Sequence, residues 1–145
     1  MTDDRNRMGT SRHGVRIVLR RLAQHELQVT AREGAAILVA GHYCEIRVGQ
    51  QHNKPHVVTV GGKQYTYRYT GTHWNFHVRG ARVTPAPEFW LLLDVTDGAL
   101  FVVPDVVLAP ALTLTRHIGE RTGRAKVHQY RDRYDLLCWI RGEAA

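Results

Sequence analysis

The residues best placed to do chemistry lie in GAAILVAGHYCEIRVG, positions 34–49. Two apolar runs flank Gly41-His42, and the second carries Glu45 and Arg47 where a buried strand favours apolar groups. Read as a hairpin turning at Gly41-His42, the segment sets Ala40 opposite Tyr43, Leu38 opposite Glu45 and Ala36 opposite Arg47. Alternation then gathers Ala36, Leu38, Glu45 and Arg47 on one face and Ile37, Val39, Cys44 and Ile46 on the other. Position 36 and Glu45 become diagonal neighbours, with Cβ atoms about 7–8 Å apart. Acids at both positions would leave room for a hard divalent cation such as magnesium, which takes oxygen ligands, activates water and neutralises phosphate charge. Without the second acid, Glu45 and Arg47 reduce to an ion pair or an exposed strand face.

The elements that must position this pair are legible from patterning. Residues 1–12 are polar, without apolar periodicity, and read as a flexible tail ahead of a single domain spanning 13–145. Val15, Val18, Leu19 and Leu22 fall at helical spacing and predict a helix from Gly14 to His25, with Arg16 and Arg20 on its polar face. Strands are expected at 27–32, 35–40 and 43–48. QQHNKPH reads as a loop, VVTV-GGK-QYTYRYT as a hairpin, WNFHVR as another strand and TPAP as a turn. FWLLLDV and ALFVV, joined by Thr96-Asp97-Gly98, are the most apolar strands and belong at the sheet's centre, with Pro104 ending the second. Beyond a loop through Gly119 and Gly123, Val127, Tyr130, Tyr134, Leu137 and Cys138 form one stripe of a helix over 125–140. The fold class is α+β, a central mixed β-sheet flanked by helices.

Composition narrows the partners. The 145 residues are 43% hydrophobic and 23% charged, as in a globular protein, and no apolar run approaches the roughly 18–20 residues that span a bilayer. A cytoplasmic setting with Cys44 and Cys138 as buried free thiols is expected. The net charge is +7 and it is segregated. Lys63, Arg68, Arg79 and Arg82 occupy 61–82 without an acid; Glu88, Asp94, Asp97 and Asp105 occupy 83–110 without a base. Such segregation suits a surface for a polyanion. The nine histidines do not assemble a zinc site. His73 and His77 would stand about 13 Å apart along a strand, and His52 and His56 lack further ligands nearby.

VRIVLRRLAQHELQV, AAILVAGHYCEIRV, WNFHVRG with EFWLLLDVTDGALFVVP, and GRAKVHQYRDRYDLL together resemble the leading helix and first strand, catalytic hairpin, later strands and closing helix of the PD-(D/E)xK, or restriction-endonuclease-like, nuclease superfamily. The resemblance covers some 110 residues. It implies a DNA-binding, magnesium-dependent endonuclease ancestry in which Glu45 ligates metal and Arg47 stabilises the scissile phosphate. Ala36 stands where the family places its first Asp, and Arg47 where it places a Lys. Alanine cannot ligate, and arginine, with a pKa above about 12, is a poor proton shuttle. A pseudoenzyme, inactive or impaired as written, is therefore expected. Migration of the missing acid to Glu33 or Glu26 is an alternative.

The partner implied is DNA, double-stranded, with a homodimer plausible by analogy. Its candidate contacts are Arg16, Arg20, Lys63, Arg68, Arg79, Arg82, Lys126, Arg131 and Arg133. Tyr65, Tyr67 and Tyr69 beside Arg68 could stack on nucleotides or simply pack across strands. The competing reading is a non-enzymatic protein-interaction module whose basic balance is incidental.

Overall fold

One strand organises the molecule by serving two sheets. The computed structural model describes residues 4–76, 86–113, 117–119 and 126–138. Helix α1 (Asp4–Gln24) leads into β1 (Val29–Glu33), β2 (Ala36–Val39) and the long β3 (His42–Val60). β4 (Lys63–Asn75), β5 (Phe89–Asp94), β6 (Leu100–Pro104), α2 (Asp105–Leu112) and β7 (His117–Gly119) follow, then 3₁₀ turns at Val127–Tyr130 and Tyr134–Leu137. The first half of β3 lies between antiparallel β2 and parallel β5, giving a mixed sheet β1-β2-β3-β5-β6. Its second half leaves that sheet and pairs only with β4, to whose last residues, beside the branch, β7 is added. The class is α+β.

Both faces of the mixed sheet are covered, which explains the unbroken apolar runs of β5 and β6. On one side Val15, Val18 and Leu22 of α1 pack over Ile37, Val39, Cys44, Ile46, Leu91 and Leu93. Tyr134 and Leu137 join this layer, with Tyr134 stacked on His25 at 3.7 Å. On the other side Trp74, Phe76, Trp90, Leu92 and Phe101 pack with Leu108 of α2, Ile118 and Val127.

The branch point at Gly49 is tied by a buried carboxylate. Asp94 ends β5 and is fully buried. It accepts hydrogen bonds from the Thr72 hydroxyl on β4, from Gln51 Nε2 at 3.3 Å on β3, and from the Thr96 amide at 2.9 Å. Trp74 lies against Gly49 and donates its indole N–H to the Leu93 carbonyl at 3.0 Å. A Cβ on Gly49 would stand 2.8 Å from the Trp74 ring and 2.9 Å from the His73 carbonyl.

Several sequence expectations are corrected. Residues 4–12 are helical backbone continuing α1, rather than part of a tail. QQHNKPH is strand, with Pro55 paired to Arg68 in register. A ribbon of two strands leaves outer edges open, and proline's missing N–H does no harm on such an edge. WNFHVR is not a separate strand over its described part: β4 runs unbroken to Asn75, while His77 to Arg79 lie outside the described residues. β6 is a terminal strand, whose open side meets Arg131 through one bridge and the Asp132 amide. α2 was missed because DVVLAPAL lacks polar spacing and contains Pro110. The helix expected over 125–140 is two 3₁₀ turns, since Lys126 and Asp132 adopt positive φ of 47° and 55° and break the spiral. The buried stripe Val127, Tyr134, Leu137 survives, but Cys138 is exposed.

Two substitutions probe the branch. Asp94→Ala leaves the buried Thr72 hydroxyl and two partly buried donors without their acceptor and should cost about 2–3 kcal/mol, whereas Asp94→Asn, which keeps an acceptor, should cost about half of that. Gly49→Ala should cost about 1–3 kcal/mol through overpacking against Trp74. Urea melts measure all three; an unshifted midpoint for Asp94→Ala would show that the branch does not depend on it.

Candidate functional site

The hairpin turns one residue earlier than its sequence suggests. Ala40 and Gly41 take φ of 50° and 85°, the pair of left-handed residues that a tight two-residue turn requires. The register therefore shifts: Ala36 faces Glu45 directly, Leu38 faces Tyr43 and Val39 faces His42. Because the slip moves the partner by two positions, the faces are those expected, and Ala36, Glu45 and Arg47 remain on one side of the sheet. Ala36 and Glu45 become nearest cross-strand neighbours, about 4.5–5.5 Å apart at Cβ.

On that face the register forms a row, Glu33–Ala36–Glu45–Trp90–Val103, running across five strands. Glu33 closes β1 and pairs with Ala36, so the alternative acid lies in the strand beside the vacant position rather than ahead of it. Glu26 is an exposed residue beyond the end of α1, with φ of 59°.

Glu45 is only 8% exposed, and both its oxygens are engaged. Oε1 accepts the Tyr43 hydroxyl at 2.5 Å and Oε2 accepts Arg47 Nη1 at 3.3 Å. The same Nη1 also donates to the Ile46 carbonyl at 2.9 Å, and the guanidinium lies 5.1 Å from the centre of the Trp90 ring. Trp90 is itself held by its indole N–H donating to Asp105 Oδ1 at 2.8 Å. The charge that the resemblance assigns to magnesium is thus supplied internally by arginine, desolvated on an aromatic face. This donor set does not fit a divalent cation: Ala36 offers no oxygen, Glu45's oxygens are committed, and no cluster of three ligating side chains occurs among the described residues.

Burial raises the pKa values of two neighbours. The Tyr43 phenol is pushed up to about 12 by desolvation and by its hydrogen bond to Glu45. The Cys44 thiol, on the opposite face, is pushed up to about 12 by burial and by the nearby charges of Glu88 and Glu45. Beside it, His42 is buried, with Nδ1 2.6 Å from Glu88 Oε2.

The proposed phosphate contacts separate into groups. Arg16 and Arg20 are exposed on α1, and Arg12 extends the row one turn earlier; the i, i+4, i+8 spacing that reveals it was already in the sequence. Lys63 is exposed on the β4 hairpin, and Lys126 precedes the first 3₁₀ turn. Arg68 lies in β4 by backbone; Arg79 and Arg82 lie outside the described residues. Arg131 sits 3.8 Å from Asp132, and Arg133 makes a two-pronged pair with Asp135 at 2.9 and 3.0 Å. That pairing lowers the Asp135 pKa and raises that of Arg133. No helix is long and apolar enough to cross a membrane among the described residues.

No family model, curated protein or solved structure matches the chain. The site must be understood from its own chemistry.

Two measurements test it. Glu45→Gln leaves Arg47 half-buried without its counter-charge and should cost about 2 kcal/mol; a double-substitution cycle with Arg47→Ala should then show coupling of at least about 0.5 kcal/mol. Additive losses would deny the pair. The raised pKa values favour neutral Cys44 and Tyr43 in the folded state, so their contribution is whole below about pH 9, the usual thiol value, and is lost as pH rises toward 12. Cys44→Ala should flatten the first part of that alkaline decline. In the native protein a thiol reagent should modify Cys138 alone, with Cys44 reacting only on unfolding.

Proposed function

We propose that this chain is a DNA-binding domain of restriction-endonuclease-like build whose phosphodiesterase chemistry is silent. The build is supported by the order of elements: a leading helix, a first strand, then a hairpin that sets position 36 against Glu45. Silence follows from the side chains. Ala36 contributes no ligand, and Arg47 occupies Glu45 in place of a cation.

The observation carrying DNA binding is the arginine row of α1. Arg12, Arg16 and Arg20 are exposed, and at about 1.5 Å of rise per residue they recur every 6 Å along the helix. None of the three has an ion-pair partner among the described residues. An unneutralised row of this kind draws a phosphate backbone by releasing its counterions, which makes affinity steeply dependent on salt.

Anisotropy titrations with a labelled duplex test this reading. Affinity should fall by more than tenfold between 50 and 200 mM salt, and Arg12→Gln with Arg16→Gln and Arg20→Gln should reduce the log–log slope by about 2.7. Absence of binding at the lower salt would favour the protein-interaction alternative. The silent site is tested separately. Ala36→Asp sets a carboxylate directly opposite Glu45 and should confer a manganese-dependent rise in melting temperature that the parent lacks. No such rise would mean the hairpin is not a lapsed metal site.

A further inference from the structure

Beyond Gly49, β3 and β4 form a two-stranded ribbon of eleven paired positions, from Gln50 with His73 to Val60 with Lys63. Gly61 and Gly62 close it with φ of 61° and 80°. At about 3.4 Å per residue it is roughly 35 Å long. Its tip is bare on both faces: Val57, Thr59, Val60, Lys63, Gln64, Tyr65 and Thr66 are all exposed. Tyr65 is 53% exposed and Val60 60%.

Register divides the ribbon's residues unevenly between its faces. Positions 52, 54, 56, 58, 60, 63, 65, 67 and 69 share one face, occupied in sequence by His, Lys, His, Val, Val, Lys and three Tyr. Most positions opposite carry amides and hydroxyls, among them Thr59, Gln64 and Thr66. The sequence from Ile46 to Pro87 contains no acid, so no carboxylate within the ribbon balances its bases. The exposed Tyr65 ring and Val60 stand on one face beside the exposed Lys63, an apolar and cationic surface complementary to a partner that carries both flat rings and negative charge.

We propose that the face of this ribbon carrying Tyr65 binds single-stranded nucleic acid, with a base stacking on Tyr65 and Lys63 meeting the phosphate backbone. Aromatic platforms flanked by cations are the general means of holding unpaired bases. Lys63 and Tyr65 hold same-face positions about 6.8 Å apart along the strand, close to twice the roughly 3.4 Å step between stacked nucleotides, so a base on Tyr65 leaves a neighbouring phosphate within reach of Lys63. An acidic peptide would satisfy the charge but not the rings, and a closed duplex hides its base faces. This inference rests on the nucleic-acid reading above, while placing the contact on a different element from α1.

The test uses the full chain with a labelled twelve-nucleotide oligo(dT) and a twelve-base-pair duplex at low salt. Tyr65→Ala should weaken oligo(dT) binding about tenfold, Tyr65→Phe should restore it, and duplex affinity should not change. Because Tyr65 is exposed, an unaltered urea midpoint will show that the fold is intact. Equal losses for both ligands, no loss even when Tyr67→Ala and Tyr69→Ala are added, or equal competition by poly-glutamate would each overturn the ribbon assignment while leaving salt-dependent duplex binding standing. Failure of both nucleic acids to bind would overturn the two readings together.

Discussion

A single buried carboxylate lets one strand belong to two sheets. β3 must exchange one pair of neighbours, β2 and β5, for another, β4, within a residue or two of Gly49. Backbone groups at such a divergence lose ladder partners, and buried polar groups without partners are costly. Here the Gln51 backbone amide finds the Thr96 hydroxyl and the Gly49 carbonyl finds the Val95 amide, while Asp94 ties the Thr72 and Gln51 side chains and the Thr96 amide together. Gly49 admits the Trp74 ring where any Cβ would collide. The seating of Trp74 against Gly49, beneath the mixed sheet with Phe76, depends on that junction.

The Glu45–Arg47 pair shows how a nearly buried carboxylate on a strand face can be balanced from within the chain. A lone carboxylate almost removed from water would pay a heavy desolvation cost. Three features answer it here: the Tyr43 hydroxyl, the Arg47 guanidinium and the Trp90 ring that carries the guanidinium. A lysine at 47 could neutralise the charge but lacks the planar guanidinium that lies against the indole while one of its nitrogens bonds Glu45 and the Ile46 carbonyl.

Much of this could be read from the residues. The apolar positions of α1, the runs of β5 and β6 and the charge at Glu45 and Arg47 were all legible, because burial leaves a strong signature in composition. Faces in the opening hairpin were also recovered, since a two-position slip preserves parity. The register itself was not. Ala40 in a left-handed conformation is a tertiary choice that Gly41-His42 masks. Pro55 in a strand was equally hidden, because a proline is tolerated only on an edge, and whether a strand is an edge depends on distant partners. The 3₁₀ turns near the C-terminus kept a helical spacing of buried residues while Lys126 and Asp132 interrupted the helix. Asp94's role in joining strands was invisible from sequence, the partners it reaches on β3 and β4 lying more than twenty residues away in the chain.

The ribbon also bears on how the chain finds its fold. The parallel pairing of β3 with β5 joins residues such as Gly49 and Asp94, some 45 positions apart, and closing so long a loop is slow. A hairpin, by contrast, zips in microseconds. Once Gln50 meets His73, the intervening arm no longer counts toward the distance to be closed, and the remaining loop is about half as long. The entropic saving is only about 0.6 kcal/mol, but it falls on the step that creates the mixed sheet. The projecting arm is thereby a splint for assembling the core, independent of whatever settles on its surface afterwards.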